Sequence, residues 1–252
     1  MKRAIAGVAL VATFAVAAAA TRPLWLAPDP AQAQAWLHDA ADRRDASAEA
    51  SLARWSDRGN AAARHAYATL LAHRVDAVSH ERLEQLLAAG ADAGDADDAT
   101  RLAELLSGAR ADAAASAPAP ASRDARIARL LAQGSAGQVP AASRLLALRT
   151  LDASHGTPDP VRAAALMGQA AAGGDVPAMF LYANMLRAGQ GVPRDDARAL
   201  ALYERAGDAD YAPAIQALAI AWRYGELGLQ ADASQSKLMD HEAAEALAHA
   251  TH

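Results

Sequence analysis

A Pro-Ala pair opening an apolar helical pattern recurs in the C-terminal half, as Pro140-Ala141, Pro177-Ala178 and Pro213-Ala214, at intervals of 37 and 36 residues. Self-similarity with a period of about 20–50 residues marks an array of stacked units, each packing on its neighbours rather than around one globular core. After each Pro-Ala helix an aspartate (Asp159, Asp195, Asp232) stands ahead of a second helical pattern. Two helices per unit, repeated, describe stacked helical hairpins.

Composition supports the same class. Hydrophobic residues make up 53% of the chain but aromatics only 4%. Much of the apolar total is alanine, the best helix former, which loses no side-chain entropy on ordering. Alternating runs of β-branched and aromatic residues are absent beyond a few positions. The expected fold is all-α, a right-handed α-α superhelix (solenoid) of helical hairpins.

The unit from Ala178 is the most regular. Tyr182 with Leu186, and Ala199 with Leu202, Tyr203 and Ala206, fall at steps of three, four and seven, so each helix carries one apolar stripe. Gly189 and Gly191 are placed to take the left-handed turn that ends the first helix, and Pro193 prevents its continuation. The residues Ala178, Tyr182, Ala183, Leu186, Gly189, Gly191, Val192, Asp195, Ala199, Tyr203 and Ala206 resemble the Sel-one-like repeat (SLR) family of the tetratricopeptide-like helical repeats. The next unit keeps Ala214, Leu218, Ala219, Trp222, Gly225, Gly228 and Asp232 with one extra loop residue, and the unit from Ala141 lacks the double glycine. About 110 residues share the resemblance.

That resemblance implies a concave groove lined by the first helix of each unit. Its contact positions, carried over residue by residue, are Phe180, Asn184 and Arg187, then Gln216, Ile220 and Arg223. Arg187 and Arg223 fall in register, which suits an extended or acidic segment of another protein. A non-enzymatic interaction scaffold or adaptor is the implied role, without a cofactor. An exported hydrolase, or glycan binding through Trp222 and Tyr224, are the alternatives.

Met1 to Ala20 has the basic start (Lys2, Arg3), apolar run and small residues of a secretory signal peptide, and would be an inner-membrane anchor if left uncleaved. Periplasmic or other export follows, with membrane contact only through that segment. Further sections are a linker over 21–35, divergent helical hairpins over 36–110, an Ala/Pro linker over 111–122 and the repeats over 123–252. Within 36–110, Asn60 and Ser79 read as helix caps, with stops at Gly59 and Gly90.

Net charge is −5, or −7 once Lys2 and Arg3 are set aside, and no basic stripe appears, which argues against nucleic acid. The chain contains no cysteine, which excludes disulfides, thiolate metal sites and cysteine nucleophiles. Asp92 to Asp98 misses the calcium-loop spacing and reads instead as a helix start. Ser234-Gln235-Ser236-Lys237 spells S-x-x-K, but the companion triplets of penicillin-recognising enzymes are missing. His241, Glu245 and His249 share a helix face, with a carboxylate where a zinc peptidase needs its second histidine. His65 and His73, two turns apart, read as a surface pair. Neither a metal site nor a catalytic one is assigned.

Overall fold

A computed structural model describes residues 27–74, 76–108 and 120–250. The leader lies outside these residues, as does 111–119 of the expected Ala/Pro linker. All regular elements among the described residues are helical. The chain divides into two compact units, Met1–Ala93 and Gly94–His252, so the division falls ahead of the expected linker.

The first unit contains α1 (Pro30–Asp42), α2 (Ala46–Asp57), α3 (Ala61–Ala72) and α4 (Ala77–Asp92). Each follows a polar cap whose side chain accepts a backbone N–H of the first turn: Asp29, Asp45, Asn60 and Asp76. Three assignments need correction. First, α1 starts at Pro30, inside the expected linker, because Asp29 accepts the Gln32 N–H at 2.9 Å and proline is pre-organised for the first helical position. Second, Ser79 is not a cap but a buried residue within α4 whose N–H is bonded by Asp76 at 2.8 Å. Third, α4 runs through Gly90 to Asp92. Asn60 caps α3 as expected, accepting from Ala63 at 2.8 Å, and its amide also donates to the Pro28 carbonyl at 3.1 Å.

The second unit contains α5 (Ala96–Gly108), α6 (Pro120–Ala136), α7 (Pro140–Leu151), a 3-10 turn (Ala153–His155), α8 (Pro160–Ala172), α9 (Val176–Ala188), α10 (Asp196–Gly207), α11 (Ala212–Tyr224) and α12 (Ala233–Ala250). Consecutive helices pack on one another from α5 to α12. Pro120 opens α6, so the Ala/Pro stretch becomes helical before the expected boundary at 122. Asp95 accepts the N–H groups of Asp97 and Asp98 at 3.1 and 3.2 Å, which makes the acidic run a helix start.

One register runs through the second helices. Counting from the capping aspartate, the fourth, eighth and eleventh residues are Ala163, Met167 and Ala170 in α8 and Ala199, Tyr203 and Ala206 in α10, each at most 1% exposed. Small residues at the fourth and eleventh places let backbones approach, while the eighth carries the bulk. Asp159, Asp195 and Asp232 all accept first-turn N–H groups, as the spacing predicts. Gly189 and Gly225 end α9 and α11 in the left-handed region.

Asp175 joins two hairpins. Its carboxylate caps α9 by accepting the Ala178 N–H at 2.8 Å, and both its oxygens lie 3.0 Å from Arg144 Nε on α7. The aspartate side chain is 8% exposed, so its charge is poorly solvated without these partners. Asp175→Ala is expected to cost about 2–3 kcal/mol and Arg144→Ala about 1 kcal/mol, read from the shift in urea midpoint at constant slope.

Candidate protein-binding surface

Proline at the start of α9 and of α11 sets the phase of both helices. From that phase Phe180, Asn184 and Arg187 fall on one face of α9, and Gln216, Ile220 and Arg223 on the corresponding face of α11. The two sets differ in how much remains open.

On α9 the first two side chains are engaged internally. Phe180 is half-buried, its ring 5.8 Å from that of Tyr203 and 5.7 Å, edge-on, from that of Tyr211. Asn184 Oδ1 accepts the Tyr203 hydroxyl at 2.6 Å. Tyr203 is 1% exposed, so its hydroxyl needs an acceptor, and Asn184 supplies one. Arg187 is exposed and sits 3.4 Å from Glu226, in the loop after α11. Phe180 and Asn184 thus support the hairpin, and Arg187 alone of this trio projects into solvent.

On α11 the face is open. Gln216 is exposed and Ile220 is 43% exposed. Arg223 donates from Nε to Ser236 Oγ at 3.2 Å and from its terminal nitrogen to Asp240 at 2.6 Å. Both arginines of the row are therefore paired with carboxylates of their own chain, across surface contacts about half open to water. Exposed pairs of this kind contribute only about 0–1 kcal/mol and exchange readily.

Beside Arg187 is an open cleft of about 480 Å³ lined by Arg187, Arg194, Asp196, Gly225, Glu226, Leu227 and Gly228. Arg194 makes two bonds to Asp196, at 2.9 and 2.8 Å. Those bonds hold the Asp196 carboxyl below the usual carboxylate range, with Arg187 adding to the effect. Glu226 and Asp240, which decide the state of the arginine row, were not visible as site residues. Their partners lie 39 and 17 residues away, and only the stacking brings them together.

The residues of the alternative chemistries lie on α12 and at the end of α11. The Ser234 N–H donates to the capping Asp232 at 2.7 Å, and Ser236 is the buried residue of the S-x-x-K run. His241 pairs in solvent with Glu245 at 3.3 Å. Trp222 is half-buried, and Tyr224 is 67% exposed.

The profile of the Sel1 repeat matches residues 22–45, 140–175 and 176–211. The first match covers the expected linker. It has a physical basis, because Asp29, Ala33, Leu37 and Ala40 repeat the offsets of Asp195, Ala199, Tyr203 and Ala206. Among solved structures, a Sel1 repeat protein from Oxalobacter formigenes is 17% identical, with a TM-score of 0.66 over 85% of each chain. A protective antigen of uropathogenic Escherichia coli strains, displaying an SLR fold, is 20% identical, with a TM-score of 0.53 over 86% of this chain and 42% of the other. No curated protein sequence matches the chain. At these identities the likeness is one of fold, which is the expected all-helical repeat class.

Proposed function

We propose that the chain, which the Sel1 repeat model matches over three segments, is a non-enzymatic protein-interaction scaffold or adaptor of the bacterial cell envelope, exported by its N-terminal segment. Its binding surface is the first-helix face of α9 and α11. The observation that carries this reading is the register of Arg187 and Arg223 on successive hairpins, each in a half-exposed ion pair, with Ile220 open between them in sequence. An acidic segment of a partner would replace Glu226 and Asp240 on the two guanidinium groups at little cost, since one surface pair is exchanged for another. Phe180 and Asn184 contribute by holding the face in shape, and Gln216 offers a polar contact at its edge. No helix among the described residues is long and apolar enough to cross a membrane, so membrane attachment would fall to the N-terminal segment.

The double reversal Arg187→Glu with Arg223→Glu tests the surface. Partner capture by the purified chain should fall at least ~10-fold, while the melting temperature moves by no more than ~2–4 °C, because both residues are exposed. Unchanged capture with unchanged melting would remove the assignment.

A further inference from the structure

In the first unit, α1 and α3 begin side by side. The Asn60 amide donates to the Pro28 carbonyl at 3.1 Å, so the cap of α3 lies against the residue before the cap of α1, and the two helices pack on one another in parallel. Positions equally far from the two caps, Asp29 and Asn60, therefore stand level. Nine residues on, about 13 Å along each axis, His38 is level with Thr69. Thirteen residues on, Asp42 is level with His73. His38 Nδ1 lies 2.8 Å from Asp42 Oδ2, one turn ahead, which places its ring between those two levels. His73 Nδ1 lies 2.8 Å from the Thr69 carbonyl oxygen, one turn behind, which places its ring between the same two levels. All four residues, with Leu37 and Leu70, line one open cleft of about 460 Å³. One imidazole from each helix thus stands at a common height in a shared cleft.

The two hydrogen bonds decide which ring nitrogens are left over. A carboxylate or a carbonyl can only accept, so Nδ1 carries the proton in each neutral ring and Nε2 keeps its lone pair. Among the described residues neither Nε2 has a polar partner. Donation of one ring N–H to a carboxylate or a backbone carbonyl is also how metal-binding imidazoles are held in tautomer and orientation. Here both kinds of support occur, Asp42 behind His38 and the Thr69 carbonyl behind His73. A similar local pair elsewhere lacks the second ring. His241 lies 3.3 Å from Glu245 on α12, but α11, the helix it packs on, contains no histidine.

We propose that His38 and His73 bind a divalent late first-row transition ion in this cleft, each through Nε2, with water completing the coordination. Two imidazole nitrogens suit Zn²⁺ or Cu²⁺, whereas Mg²⁺ and Ca²⁺ take oxygen ligands. Asp42 acts as a positioning residue, holding the His38 ring rather than touching the ion. The bound ion joins the last turn of α1 to the end of α3. It therefore favours the folded first unit over the unfolded chain, in which the two histidines are 35 residues apart and unplaced. This site shares no residue with the face of α9 and α11 proposed to bind proteins.

Zn²⁺ titration calorimetry on the full chain, purified without a histidine tag, tests the site, with melting followed in parallel. Wild type should take up one ion in a saturable step that raises the melting temperature. His38→Ala and His73→Ala should each weaken that step at least ~10-fold, and Asp42→Asn should weaken it by about 10-fold through loss of the support behind His38. Both histidines are exposed, so the metal-free variants should melt like wild type. His241→Ala should leave the step unchanged. With Cu²⁺ as the probe, electron paramagnetic resonance should show two nitrogen donors in wild type and one in either histidine variant. The absence of a saturable step, a step that persists unchanged in His38→Ala or His73→Ala, or one abolished by His241→Ala overturns the proposal.

Discussion

Gly191→Ala should lower the melting temperature by about 6–12 °C, the largest single-methyl effect expected in the second unit. Two causes combine at this position. Its φ is +70°, a conformation that disfavours any residue with a Cβ, and a Cβ built there would stand 1.9 Å from the carbonyl oxygen of Pro160 and 2.3 Å from its carbon. The obstruction is backbone at the start of α8, which cannot rotate aside. Left-handed strain of about 1–2 kcal/mol and overpacking of about 1–3 kcal/mol give roughly 3 kcal/mol in all. Gly189 is the internal control: its φ is +66°, but the nearest atoms to a new Cβ are 3.7 Å away. Gly189→Ala should therefore show the strain alone, about 1–2 kcal/mol. Equal effects at the two glycines would mean that the loop from 189 to 195 does not lie against α8 as described.

Tyr203→Ala should destabilise the chain by about 3–5 kcal/mol, since it empties the largest fully buried side chain in the array. Tyr203→Phe keeps the ring against Phe180 and removes only the 2.6 Å bond to Asn184, for about 1 kcal/mol. The pair separates packing from hydrogen bonding at one place. It also has a pH signature. Burial raises the pKa of the Tyr203 phenol above its ordinary value, with Arg187 opposing and Glu226 adding. The unfolded chain then loses this proton first as pH climbs. The contribution is fully present below about pH 10 and is lost as pH rises from there through the folded-state value. Denaturant midpoints across this alkaline window should fall more steeply for wild type than for Tyr203→Phe. Parallel curves would place the phenol in water.

Much of this architecture is readable from residue order. The 36- and 37-residue spacing, the aspartate caps of α8, α10 and α12, and the left-handed turn at Gly189 are local features, decided within a few residues of themselves. Local competition hid others. The Asp29-Pro30 start of α1 lies in a Pro/Ala/Gln-rich stretch that reads as a linker, although its alanines keep the repeat offsets. Ser79 was a plausible cap, but Asp76 lies three residues ahead and takes the first-turn N–H itself. The surface was the least legible part. Positions carried over by resemblance say which face a residue occupies and nothing of what already fills it. Phe180 and Asn184 are engaged because Tyr203, 23 and 19 residues away, needs a ring to pack on and an acceptor for its hydroxyl. Arg187 and Arg223 meet Glu226 and Asp240 only through packing of one helix on the next.

The central claim, that the open first-helix face contacts other proteins, is tested most directly by a photo-crosslinking residue installed at Ile220 and, separately, at the more accessible Val161 of α8, 67% against 43% exposed, irradiated in the native cell. The account predicts recurrent adducts to a protein other than the chain itself at Ile220, their loss when Arg187→Glu and Arg223→Glu are added, and none of them at Val161. Adducts that are the same at both positions, or that survive the double reversal, would contradict it.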